Sequence, residues 1–125
     1  MIILEKFTTD DYDQLITWIH NEELLTNWAG SLFNFPLNHQ SLDWYTQDTN
    51  ELENSDAFVY KAVEANTGQT VGHISLGGIS RKNRSGRISR VFVDDAVRGK
   101  GYCKQMITAL LRFGFNELQL HRISL

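Results

Sequence analysis

The chain has 125 residues and a single cysteine, Cys103, so no internal disulfide can form; this fits a reducing, cytoplasmic setting. No apolar run approaches the roughly 20 residues needed to span a bilayer, and no membrane partner is expected. The opening MIILEKFTTDD has neither a basic region nor a small-residue cleavage site, so it does not read as a secretory signal. The sequence also has no repeat, no low-complexity tract and no Cys/His cluster at metal spacing, so neither a repeat array nor a metal centre is expected. Hydrophobic content of 42% and charged content of 22% are ordinary for a globular protein. The expectation is one domain over residues 1–125, long enough to bury roughly two-thirds of its unfolded surface.

The net charge of −3 conceals a division. Residues 1–56 hold eleven acidic residues against one base, Lys6, whereas residues 57–125 hold four against eleven bases. Eight of the twelve Lys/Arg fall between Arg81 and Lys104. For Lys82 and Arg84 a solvated hairpin is explanation enough. For the segment as a whole, clustered positive charge points to a polyanionic ligand, and the acidic half to an electrostatic bias toward a cation.

The most informative stretch is Arg87–Lys104, RISRVFVDDAVRGKGYCK. Ile88, Val91, Phe92 and Val93 are β-branched or aromatic and follow the turn residues Ser85-Gly86, so this half reads as a strand. The loop Val97-Arg98-Gly99-Lys100-Gly101 then runs into a helix beginning near Tyr102, signalled by Met106, Ile107, Leu110, Leu111, Phe113 and Gly114 at three- and four-residue spacing. A helix N-terminus offers unpaired N–H groups and about half a positive charge. Gly99 and Gly101 allow close backbone approach and φ values that other residues avoid. The chemistry implied is a grip on a phosphate or pyrophosphate. The triphosphate pattern Gly-x-x-x-x-Gly-Lys-Ser/Thr is absent. So is Gly-x-Gly-x-x-Gly, because Lys104 stands where its last glycine belongs.

Elsewhere, Met1–Phe7 reads as a first strand. Thr8 or Thr9 caps a helix with Asp11 as a capping-box partner; Tyr12, Leu15, Ile16 and Ile19 form its apolar face, Trp18 lies near the edge of that face, and the helix is expected to run to Leu24 or Leu25. Thr26–Pro36 is irregular and aromatic. Trp28, Leu32, Phe33 and Phe35 either plug the core or wall an acceptor pocket. Asn38 or Ser41 caps a second helix that turns Leu42 and Tyr45 inward. Gln47–Asp56 reads as a mobile acidic loop. Strands follow at Ala57–Ala65 and Thr70–Ser80, joined by a turn at Asn66–Gln69, with Gly77-Gly78 marking a bulge. GHISLGG misses the nucleophile-elbow spacing by one residue. His121–Leu125 opens a last strand.

Arg98, Gly101 and Cys103 occupy the three defined positions of the pattern Arg/Gln-x-x-Gly-x-Gly/Ala, with cysteine as a small departure at the last. With the preceding VFVDDAV and the following QMITALLRFGFNELQLHRISL, the stretch resembles motif A of the GNAT superfamily of acyl-CoA-dependent N-acetyltransferases, RimJ/RimL-like branch. The likeness runs from Ala57 to the end. It implies an α+β fold of layered α/β type: a mixed, mostly antiparallel sheet of five strands flanked by three helices. In that family a helix and further strands come after the point where HRISL stops, so the domain is expected to be C-terminally truncated and to dimerise through an open sheet edge.

The resemblance further implies acetyl transfer from acetyl-CoA, as co-substrate and without a metal, to a primary amine. The charge division favours a cationic one: a polyamine, an aminoglycoside or a peptide N-terminus. The backbone of Val91, Phe92 and Val93 would lie along the pantetheine arm, with the Val91 amide polarising the thioester oxygen. Arg98, Gly99, Lys100, Gly101, Tyr102, Cys103 and Lys104 would hold the pyrophosphate. Relatives place a carboxylate base on the central strand, where this chain has Arg87 and Ser89. His73 is the remaining titratable group of suitable chemistry, against the plainer reading of a hydrogen-bonded strand residue. Cys103 reads as a packing residue, and Asp94 and Asp95 as loop residues. The alternative function is a non-catalytic acyl-CoA-binding or regulatory module. Nucleic acid is not expected, because the basic stretch lacks interleaved aromatics.

Overall fold

Runs of β-branched and aromatic residues punctuated by turns give five strands: β1 (Ile2–Lys6), β2 (Phe58–Glu64), β3 (Thr70–Ser80), β4 (Ser85–Val93) and β5 (Arg122–Ser124). In the computed structural model, which describes all 125 residues, they form one sheet in the order β1-β2-β3-β4-β5. Pairing is antiparallel from β1 to β4 and parallel between β4 and β5. The β2–β3 connection turns at Gly68, whose φ of 74° is left-handed. Gly77-Gly78 is a register slip, with Gly78 at φ 56°.

Residues 1–6 and 48–125 form one compact unit, and residues 7–47 a second. In the first, α4 (Tyr102–Arg112) lays Met106 and Leu110 into a core with Phe58, Ile74, Leu76 and Ile88. Its last turn widens to a π-turn over Phe113–Glu117. Gly114 sits there because an added Cβ would lie 2.4 Å from Ile123. The segment 48–57 is tied down: Asn50 exchanges hydrogen bonds with the backbone of Val59 (Nδ2 to the carbonyl 3.0 Å, amide to Oδ1 2.7 Å), and Arg81 donates to the Ser55 carbonyl at 2.8 Å. The sequence suggested an unanchored loop because both ties come from strand or hairpin residues distant in the chain.

The second unit holds α1 (Tyr12–Trp18), α2 (Glu22–Ala29) and α3 (His39–Thr46). The Thr8/Asp11 capping box forms, with the Thr8 amide donating to the Asp11 carboxylate at 2.8 Å. The single helix expected from Thr8 to Leu25 is instead two. Ile19 leaves helical geometry (φ −97°, ψ 65°), and the Asn21 side chain accepts from the Leu24 amide at 2.8 Å, starting α2 afresh. Asn38 caps α3 in the same way through the Ser41 amide, 2.8 Å. Tyr12, Leu15 and Ile19 are buried, Ile16 half-buried. The aromatic segment divides. Trp28 and Phe33 are buried and stacked at 5.8 Å, while Leu32 and Phe35 are exposed and, with Trp44, line a cleft of about 450 Å³. No helix is long and apolar enough to cross a membrane.

Candidate acyl-donor site

β4 begins paired on both sides. Ser85, Gly86 and Arg87 lie in register with Arg122, Ile123 and Ser124 of β5, and Ser85 and Arg87 also with Ser80 and Gly77 of β3. Beyond Arg87 the parallel pairing stops. Ser89 then faces Ser75, but Phe92 faces His73, so three steps along β4 match two along β3. The extra residue is accommodated by Arg90, left-handed at φ 52°, a bulge that bends the strand and re-aims Val91–Val93. Nothing in the sequence marks this bulge, since arginine has no preference for that conformation.

Past the bulge, the Asp94 amide donates to the Val71 carbonyl at 2.8 Å. Bonding alternates along an antiparallel pair, so Val93 turns its N–H and C=O to the other side, where β4 has no strand neighbour. The Arg98 side chain reaches the Val93 carbonyl there, Nε to oxygen 3.5 Å. The chain then makes a 3-10 turn, Asp95–Val97, capped by Asp94 Oδ1 accepting from the Ala96 amide at 3.1 Å. Asp94 and Asp95 are thus loop-forming residues, and Asp95 Oδ1 also pairs with Arg98 Nε at 2.8 Å. This exposed pair contributes at most about 1 kcal/mol and orients more than it stabilises.

Gly99 (φ 86°) and Gly101 (φ 76°, ψ 17°) lead into α4. A Cβ on either would meet no atom within 4 Å, so the glycines are required by backbone conformation and the space beside them is open. Unlike α2 and α3, α4 has no side-chain cap on its N-terminus. Its first-turn amides and its dipole therefore face outward unneutralised. Strand edge, glycine loop and helix start enclose a cleft of about 390 Å³ lined by Val91, Phe92, Val93, Val97, Arg98, Gly99, Gly101, Tyr102 and Cys103. Eight of the ten residues expected to hold a cofactor meet here. Lys100 and Lys104 do not line the cleft; both are exposed, and Lys104 borders a separate hollow with Gln105 and Arg112. Cys103 is a free, exposed thiol, so it is not the packing residue the sequence suggested.

His73 is only 1% exposed, and burial, followed by the nearby charge of Arg90, pushes its pKa down to about 3. It is neutral under physiological conditions and too weak a base to deprotonate an ammonium, which removes it as a candidate. Ser89 is committed to strand contacts, its carbonyl accepting from Ser75 Oγ at 3.1 Å.

Glu64 is a residue that sequence reasoning missed. At the end of β2, its Oε1 accepts from the Asn66 amide at 2.8 Å and its Oε2 from the Met1 ammonium at 2.9 Å. These donors, the Asn66 amide foremost, hold its pKa below the usual carboxylate range. Burial and the Glu64 charge raise that of Tyr102. No group of three or more His, Cys, Asp or Glu side chains is placed to hold a metal ion.

A family model described as an acetyltransferase (GNAT) domain matches residues 1–125. Among solved structures, spermidine N-acetyltransferase from Vibrio cholerae in complex with CoA and spermine superposes with a TM-score of 0.77 at 16% identity, covering 98% of this chain and 68% of that one. A probable acetyltransferase superposes at 0.74 and 22% identity, covering 98% and 67%. A dodecameric form of the V. cholerae enzyme gives 0.69 and 17% over 98% and 67%. The chain thus spans about two-thirds of the length of these structures, and at such identities the likeness is one of fold.

Proposed function

Because the chain belongs to the GNAT acetyltransferase domain family, we propose that it binds acetyl-CoA in the β4–α4 cleft and transfers the acetyl group to a cationic primary amine. The observation that carries the reading is the meeting, in one cleft, of the unpaired strand edge at Val93 with the uncapped, left-handed entry to α4 at Gly101. An amide-bearing pantetheine arm suits the first, since it can mimic a neighbouring strand. A pyrophosphate suits the second. Arg98 adds a charge beside both.

Acetyl-CoA supplies the activated acyl group as a thioester. The amine reacts as its free base: its nitrogen forms the C–N bond as the C–S bond breaks, and the displaced proton ends on the CoA sulfur. The Val91 amide is the donor assigned to the carbonyl oxygen, where negative charge develops. His73 takes no part in proton transfer. The cationic preference is supported by residues 7–47, which hold six acidic residues and no lysine or arginine. The exposed faces of Phe35 and Trp44 add cation–π partners in the same unit.

The test is a melting series with acetyl-CoA, followed by a thiol-release assay over a panel of amines. A rise in melting temperature that grows with ligand concentration is expected, as is a preference for cationic amines that strengthens at low salt. No shift at millimolar acetyl-CoA overturns the donor assignment. A shift without thiol release supports the binding-module alternative, and a preference for neutral or anionic amines overturns the acceptor class.

A further inference from the structure

We propose that the start of the β4–β5 pairing is a second anion site, one that takes a compact phosphate group and is separate from the acyl-donor cleft. The charge pattern calls for such a site. Of the bases clustered between Arg81 and Lys104, only Arg98 lines the acyl-donor cleft. From Arg81 to Arg90 there are five bases and no acid. Arg81 is committed to the Ser55 carbonyl and Arg90 to the Ser89 hydroxyl, while Arg84 lies against the His121 ring, Nη1 to Nε2 3.3 Å. Arg87 is placed differently. In the parallel register Ser85 pairs with Arg122, and Arg87 with Ser124. Paired residues of neighbouring strands point to one face of a sheet, as do residues two apart on one strand. These four side chains therefore share a face, arginines on one diagonal and serines on the other.

The shared face is the one turned away from the core. Ile123, between Arg122 and Ser124, packs against that core, and a Cβ on Gly86 would lie 3.2 Å from Leu76 and Leu120. Both arginines are exposed. With strands about 4.8 Å apart and alternate residues about 6.6 Å apart, their Cα atoms stand about 8 Å from each other, close enough for two long side chains to converge on one ion. The quartet lines a hollow of about 500 Å³ with Gly78 and Asn83, and no acidic side chain lines it. A Cβ on Gly78 would meet no atom within 4 Å, so the space beside it is open. The frame is fixed from the hairpin: the Arg84 carbonyl accepts from the His121 amide at 2.6 Å and from the Arg122 amide at 3.2 Å. Two guanidiniums on neighbouring strands repel each other, and a bound anion removes that cost. The donor set selects the anion. Two guanidinium forks and two hydroxyls offer more donors than the roughly four lone-pair positions of a carboxylate can use. A phosphate group brings three terminal oxygens and a charge approaching that of the two arginines combined.

The experiment titrates the ¹⁵N-labelled chain with inorganic phosphate at constant ionic strength, with chloride and acetate as comparison anions. The amides of Ser85–Arg87 and Arg122–Ser124 should shift and saturate in the millimolar range, the scale of two charge-assisted contacts. Arg87→Gln and Arg122→Gln should each weaken phosphate binding about tenfold or more. Arg87→Lys should recover little of the loss, because an ammonium cannot form the fork. Lys82→Gln, on the same hairpin but outside the hollow, should leave the affinity unchanged. Acetyl-CoA at concentrations that fill its own cleft should not displace the phosphate. No saturable shift, equal response to chloride, acetate binding as tight as phosphate, equal losses in Lys82→Gln and Arg87→Gln, or displacement by acetyl-CoA would each overturn the site. If the chain binds no CoA, the reading of the β4–α4 cleft falls while the phosphate titration stands. A thiol-release assay then assigns the source of the phosphate group. Acceleration by free phosphate makes it an effector; preference for aminoalkyl phosphates over the matching alkylamines makes it part of the acceptor.

Discussion

From Ser85 to Arg87, β4 is held on both sides, by β3 and by β5; from Val91 to Val93 it is held by β3 alone. Both segments sit in one nine-residue strand, but only the second, through Val91 and Val93, packs apolar side chains against the core. What separates them is the bulge at Arg90, beyond which a loop turns the chain away instead of into another strand. The first segment uses its backbone groups for the sheet. The second leaves Val93 facing the open cleft and brings the amides of α4 to the same place. One strand thus serves as framework at one end and as binding edge at the other, and substitutions should separate the two roles.

The largest effect is expected on the binding side. Gly101→Val forces a branched residue into a left-handed conformation, at about 1–2 kcal/mol, and directs a side chain into open cleft space. CoA affinity should drop by well over tenfold in calorimetry while far-UV circular dichroism stays native. Next comes Gly72→Ala, under the binding end of β4. An added Cβ would stand 2.5 Å from the Phe92 carbonyl and 3.0 Å from Met106. Overpacking of this kind costs about 1–3 kcal/mol, and here it should also weaken CoA binding, because the backbone that must shift is the cleft wall.

His73, opposite Phe92, gives a pH test. Its pKa is depressed in the folded chain to about 3 from an ordinary 6.5, so between those values the unfolded chain takes up a proton that the folded chain refuses. Its contribution to stability is whole above about pH 6.5 and is lost as pH falls toward 3. Melting temperatures should decline over that window, and His73→Gln should flatten the decline. An activity inflection abolished by His73→Gln would instead restore this residue as a base.

The smallest effect belongs to the framework end. Gly86→Ala would bring a Cβ to 3.2 Å from both Leu76 and Leu120, a tight fit that side-chain ends can partly relieve. A loss of about 1 kcal/mol or less is expected in denaturant unfolding, with CoA affinity unchanged.

Much of this architecture was legible because it is local. The five strands and α4 arise from period-2 and period-3.6 patterns, and the phosphate loop from its glycines and bases. The features that could not be read depend on contacts remote in sequence or on backbone states that composition does not mark. The helix break after Ile19 hinged on Asn21 acting as a cap, which looks no different from a surface asparagine inside a helix. The neutrality of His73 depends on complete burial, and a lone polar residue in a strand gives no sign of that. Glu64 reads as an ordinary end-of-strand acid until Met1, 63 residues away, is brought to it. Asp95 reads as a loop residue and is one, and its pairing with the arginine of the motif appears only in the structure.

The most direct measurement is a titration of the ¹⁵N-labelled chain with CoA, monitored through backbone amide resonances. If β4 is divided as described, the amides of Val91, Val93 and Tyr102–Lys104 shift progressively and saturate together, while those of Ser85–Arg87 and Arg122–Ser124 stay in place. Saturable shifts centred on the β4–β5 pairing, or none in the cleft at concentrations that protect the protein against heat, would contradict the account.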